Sequence, residues 1–202
     1  MAATAYGKNN AVAGYTAKAL YLGAVTALTE KPTSNTAEGA SLINLTGAKG
    51  KGFTNGKLVV PRTLTANVTG LVAGRPYYVV GETTNGFELA NEEAGTAVKV
   101  TGHALETGSE FDLLTEVTGG EYARVATSWG AAKGGEAEDT AKQQIKMPAA
   151  SRIDYGAHFE KSAGGTGAAG FQGVMKLVAP ESFGSAGIFE ALSDKFEALA
   201  VA

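Results

Sequence analysis

Short apolar runs separated by glycine, proline and small polar residues recur along the whole chain, a pattern that predicts strands and tight turns. Ala19 to Leu28 (ALYLGAVTAL) is nearly continuous in apolar character, as expected for a central strand buried on both faces. Ser41 to Leu45 is a short strand candidate, and Gly47 to Gly52 (GAKGKG) is a junction. From Lys57 to Val100 the rhythm tightens: Leu58 to Pro61, Leu64 to Val68, Pro76 to Val80, Phe87 to Leu89 and Thr96 to Val100 each predict a short strand. Asn85-Gly86 predicts a two-residue hairpin turn, because both turn positions of the favoured type need positive φ.

Beyond this, Glu110 to Val117 (EFDLLTEV) fits a strand or a helical turn. In Gly119 to Gly135 (GGEYARVATSWGAAKGG), alternation puts Tyr122, Arg124 and Ala126 on one face of a strand set between two Gly-Gly reversals. Trp129 follows, placed to cover one end of a core. Ala141 to Met147, Ile153 to Phe159, Phe171 to Val178 and Phe196 to Val201 predict further strands. Gly164 to Gly170 reads as a hairpin, Pro180 to Gly187 as a turn, and Ile188 to Leu192 as an edge strand or helical turn. Near the start, Val12 and Tyr15 are spaced for a single helical turn, with a flexible arm as the equal alternative.

These elements predict an all-β protein, an immunoglobulin-like or jelly-roll-like sandwich of about seven strands. The composition shift near Gly52 divides it. Residues 1–51 form the N-terminal part of a host sandwich, 52–103 a small inserted β module, and 104–202 the rest of the host. A module that protrudes from the host keeps Tyr77 and Phe87 out of any core containing Leu22 and Phe159.

The 202 residues and 44% hydrophobic content suit a globular chain, and 28 glycines without a G-x-y period favour many turns over a collagen-like fibre. A net charge of −3 with dispersed Lys and Arg gives no nucleic-acid footprint. The absence of cysteine excludes disulfides, Cys-based zinc sites and thiol catalysis. No signal peptide is visible and no run reaches the ~20 apolar residues of a membrane span, so synthesis in a cytoplasm without membrane insertion is expected.

No catalytic or metal constellation emerges, and no cofactor is expected. His103 and His158 are the only histidines and have no neighbour at a ligand spacing. No G-x-S-x-G occurs, and Glu92, Glu93, Glu136, Glu138 and Asp139 lie in turns without a calcium-loop pattern. Gly164-Gly165-Thr166-Gly167 lacks the Lys-Ser/Thr of a phosphate loop. What remains is a candidate interaction surface. Tyr77 and Tyr78 point to opposite faces, one to the core and one outward, where it could meet a glycan or protein; Arg124 and Arg152 could pair with acids across a subunit interface; Trp129 completes the set.

Several motifs resemble a family of short virion structural proteins of tailed bacteriophages, of the decoration and tail-fibre kinds. They are G-G-x-Y-A-R at Gly119 to Arg124, IDYGAHF at Ile153 to Phe159, FQGVMKLVA at Phe171 to Ala179, KFEALAV at Lys195 to Val201, and NNAVAGYTAKALYLGAVTAL at Asn9 to Leu28. Within 52–103, L-x-A-G-x-x-Y-Y-V-V, N-x-F-x-L-A and G-x-x-V resemble a small module that recurs in phage virion proteins. The resemblance implies a non-enzymatic structural protein, foremost a decoration or minor capsid protein on the outer shell; the alternative is a short tail-fibre or minor tail protein. Its expected partners are the major capsid or tail proteins, other copies of itself, with a trimer favoured, and a host-surface glycan; its expected place is the virion surface.

Overall fold

In the computed structural model, the described residues are Gly14 and 17–65, 67–133, 136–160, 162, 171–191 and 195–197. The opening helical turn, the Gly134-Gly135 reversal, the 164–170 hairpin and the faces of the closing strand lie outside them. All named elements are strands: β1 (Tyr21–Glu30), β2 (Ile43–Asn44), β3 (Leu58–Thr63), β4 (Tyr77–Thr83), β5 (Gly86–Ala90), β6 (Glu110–Glu116), β7 (Val125–Ala126), β8 (Glu136–Glu138), β9 (Gln143–Met147), β10 (Ser151–Phe159), β11 (Phe171–Phe183), β12 (Gly187–Ala191) and β13 (Lys195–Glu197). The protein is all-β, and its strand pairs are antiparallel.

A nine-stranded sheet runs β11-β10-β1-β6-β3-β4-β5-β2, with β7 paired to β1; β12-β9 and β13-β8 form two-stranded ribbons. β1 sits inside this sheet, its Tyr21 to Val25 paired with β10 and its Val25 to Glu30 with β6. That position accounts for its uninterrupted burial from Leu22 to Val25.

Alternation assigns the two faces. Val59, Phe111 and Leu113 lie on one face with Tyr77, Phe87 and Leu89, forming a first core. Leu22 and Ala24 share that face through the pairing of Leu28 with Leu113; there the β9-β12 ribbon lays Ile145, Met147 and Ala191 over them as a second layer. Val25, Leu58, Leu114, Tyr155 and Phe159 form a third core on the opposite face.

Residues 52–103 share both sheet and core with the rest of the chain. β3 is bonded to β6 from Leu58↔Leu114 to Pro61↔Phe111. The first core joins Ile43, Leu45 and Ala48, before this segment, and Phe111 and Leu113, after it, to Tyr77 and Phe87; Leu22 and Phe159 belong to the other two cores.

Several element expectations are corrected. The described residues of Leu64 to Val68 and those of Thr96 to Val100 are not strands: Asn67 has φ 65°, Ala97 touches β5 through an isolated bridge to Ala90, and just beyond the two segments Thr69 bridges to Thr101. The β4-β5 turn falls on Thr84-Asn85, since Thr83 pairs with Gly86, and neither Asn85 nor Gly86 has positive φ. Gly81 instead takes φ +57° in a bulge, where the Glu88 carboxylate crosses so close that a Cβ would lie 2.2 Å from it. β11 passes through the predicted turn at Pro180, which an outer strand tolerates because no ladder partner needs its missing N–H.

Candidate interaction site

The predicted Tyr122-to-Ala126 strand is mostly an excursion. β6 and β7 lie in line along one side of β1, but only Val125 and Ala126 are strand residues, and the chain between them, 117–124, loops out through Gly119 (φ +93°) and Gly120 (φ +56°). Opposite this gap β1 keeps its rungs in two ways. The Ala24 carbonyl accepts from Val117 N–H at 2.9 Å. The Ala24 N–H donates to the Tyr122 hydroxyl at 3.0 Å, and that hydroxyl donates to Glu116 Oε1 at 2.9 Å. Burial, then the neighbouring Glu116 carboxylate, push the Tyr122 phenol well above the ordinary tyrosine range.

Arg124 closes the assembly. Its Nε and Nη2 each reach a different oxygen of Glu116 at 2.7 Å, and its guanidinium carbon lies 3.5 Å from the centre of the Phe159 ring. Its side chain is 1% exposed, so the expected role at a subunit surface is corrected: Arg124 pairs within its own chain because the looped segment folds it back over β6 and β10.

The other expected surface residues divide. Tyr77 is 0% exposed and belongs to the first core; its hydroxyl accepts the Val72 N–H at 2.9 Å, so it is removed from the surface set. Tyr78, on the opposite face, is half-buried, its phenol pushed up by burial and by Glu93. Trp129 is half-buried with its ring 5.2 Å from that of His158, and its indole nitrogen is buried without a hydrogen-bond partner among the described residues. His158 lies buried in β10, and His103 is exposed. Arg152 is exposed but forks onto Asp154 Oδ1 at 2.9 and 2.7 Å, which raises its own pKa. Asp154 in turn accepts the Ala27 N–H at 3.0 Å, so β1 has a second rung supplied by a side chain.

The sequence reading missed the outer edge of β11. At the other end of the sheet β2 is covered, because Thr33 N–H donates to the Asn44 carbonyl at 2.8 Å. Among the described strands, β11 pairs only with β10. Val25 directs its backbone groups toward β10, since those of its neighbour Ala24 point to the 117–124 side; Tyr155, opposite Val25, therefore faces β1, and Lys176, opposite Tyr155, faces outward. The register then slips from Tyr155↔Lys176 to Ile153↔Glu181, setting the intervening Leu177 to Pro180 against Asp154 alone. Val178, Ala179 and Pro180 stand exposed on this bulge, Val178 completely so. The only sequence signal was Pro180 within an otherwise strand-like run.

Comparison with protein-family models, curated proteins and solved structures gives no match. Among the described residues no group of His, Cys, Asp or Glu is placed to hold a metal, and no helix is long and apolar enough to cross a membrane.

Proposed function

We propose that the protein is a non-enzymatic structural component of a tailed-phage virion, foremost a decoration or minor capsid protein bound on the outer shell. The single observation that carries an assembly role is the outer edge of β11, with outward backbone groups at Lys176 and the exposed apolar bulge at Val178 to Pro180. An edge left unpaired among the described strands invites strand addition or apolar packing by a neighbour. The phage placement rests on the sequence motifs alone, which include β11 itself. In this reading the neighbours are capsid or tail proteins and further copies of the chain in a cyclic oligomer, with a trimer favoured, and assembly stabilises the shell by mass action.

Antibody labelling of intact particles, imaged by electron microscopy, tests this. A regular array over the capsid is the expected result. Label confined to the tail would replace it with the tail-protein reading, and absence from particles would overturn both.

A further inference from the structure

The chain carries two Asn-Gly steps, Asn55-Gly56 and Asn85-Gly86, and the fold holds them by different means. At such a step the glycine nitrogen, once deprotonated, can attack the asparagine side-chain carbonyl carbon. A ring C–N bond forms, the side-chain nitrogen leaves as ammonia, and water opens the cyclic imide to aspartate or isoaspartate. Glycine favours this because no side chain hinders its nitrogen.

Asn85 is clamped by backbone. Its side-chain oxygen accepts the Gly47 N–H and its carbonyl accepts the Leu45 N–H, both at 2.9 Å. Gly86 is buried, with a Cβ position 2.9 Å from the Ile43 carbonyl. Asn55 is exposed, as Asn85 also is, but its own groups are held by one side chain and that residue's backbone. Glu82 Oε2 accepts the Asn55 N–H at 2.7 Å, and the Asn55 side-chain oxygen accepts the Glu82 N–H at 3.1 Å. Lys49 steadies the same carboxylate at 2.9 Å. While this clasp is closed, the Gly56 N–H donates to the Val79 carbonyl at 2.9 Å and its nitrogen is kept from attack.

We propose that Asn55-Gly56 is a deamidation site guarded by Glu82. The modification needs only water, and its product sets a new carboxylate beside that of Glu82, weakening the attachment of the 54–57 turn to β4. This inference is independent of the virion reading and would survive its failure.

The test is slow incubation of the folded protein at neutral pH, followed by tryptic digestion and mass spectrometry. The peptide 52–57 reports Asn55 and 63–99 contains Asn85, since the Arg75–Pro76 bond resists trypsin. Conversion at Asn55 is expected to precede conversion at Asn85, and Glu82→Ala should speed the former about tenfold while leaving the latter unchanged. Glu82→Gln, which keeps an acceptor for the Asn55 N–H, should fall between. Circular dichroism confirms that each variant is folded. Equal rates at Asn55 in all three proteins, or earlier conversion at Asn85, would overturn the proposal, as would acceleration of both sites together.

Discussion

The Tyr122 hydroxyl receives the backbone N–H of Ala24 at 3.0 Å, so a side chain supplies a rung in the middle of the sheet where the backbone of the neighbouring strand has looped away. A buried rung of this kind is costly to lose. Tyr122→Phe should lower stability by about 1–3 kcal/mol through the stranded Ala24 N–H and the bond lost to Glu116. Urea unfolding checks it as a shift in midpoint without a change in slope.

Gly23 makes room for that hydroxyl. A Cβ there would lie 2.8 Å from the Tyr122 oxygen and 3.0 Å from the Phe159 ring. Gly23→Ala should cost about 1–3 kcal/mol. Because the same contact is at stake, the double variant with Tyr122→Phe should cost less than the sum of the two, which a double-mutant cycle measures.

Arg124 and Glu116 are nearly solvent-free, with side chains 1% and 10% exposed. Arg124→Ala alone should destabilise by about 3–5 kcal/mol, since it leaves a buried carboxylate without its cation. Replacing both residues together, as Arg124→Met with Glu116→Gln, should recover part of that loss in thermal unfolding.

Tyr122 and Tyr155 both resist ionisation in the folded state, chiefly through burial, with Glu116 and Asp112 as the respective carboxylate neighbours. Their folded pKa values are raised, so their neutral forms contribute full stability below the unfolded tyrosine value of about 10 and that contribution declines as pH climbs above it. The unfolding free energy should therefore fall above about pH 10. The fall should be shallower in Tyr155→Phe, which removes the hydroxyl that donates to Asp112.

Val178 is fully exposed and packs against nothing in the described chain. Val178→Asp should alter stability by no more than about 0.5 kcal/mol yet abolish association with particles in a binding assay. Retained association would remove the β11 bulge from the assembly surface. For the glycan possibility, Tyr77→Ala is uninformative, because a buried aromatic truncation costs about 3–5 kcal/mol by itself. Tyr78→Ala is the useful variant, with loss of glycan-array signal as its readout.

The sheet was legible where apolar runs are long. β1 stands out because it is buried on both faces from Leu22 to Val25 and its sequence is correspondingly apolar, whereas β10 shows through the alternation of Ile153, Tyr155, Ala157 and Phe159. The excursion at 117–124 was not, because Tyr122, Arg124 and Ala126 alternate as a strand would. What bends the chain is the attraction of both Tyr122 and Arg124 to Glu116, a side-chain relationship that no periodicity records. Gly119-Gly120 was the available sign. The unity of sheet and core across residue 52 was hidden for a similar reason: Leu58 to Pro61 reads alike whether its partner is Tyr78 nearby or Leu114 far along the chain, and it has both. Of the expected surface residues, Tyr78, Trp129 and Arg152 retain exposed or half-exposed positions, whereas Tyr77 and Arg124 are spent on packing and internal pairing.

The central position of β1 also sets the order in which the molecule can be made. Its partners, β6 and β10, both lie far downstream, and Tyr21 meets Phe159. During synthesis the apolar stretch from Leu20 to Leu28 must therefore emerge and wait, unpaired, until most of the chain has followed. Long-range pairing of this kind folds slowly and leaves nascent chains prone to clumping. A truncated chain ending before β10 should accordingly collect in the insoluble fraction, while slowed expression at low temperature should favour the full-length product.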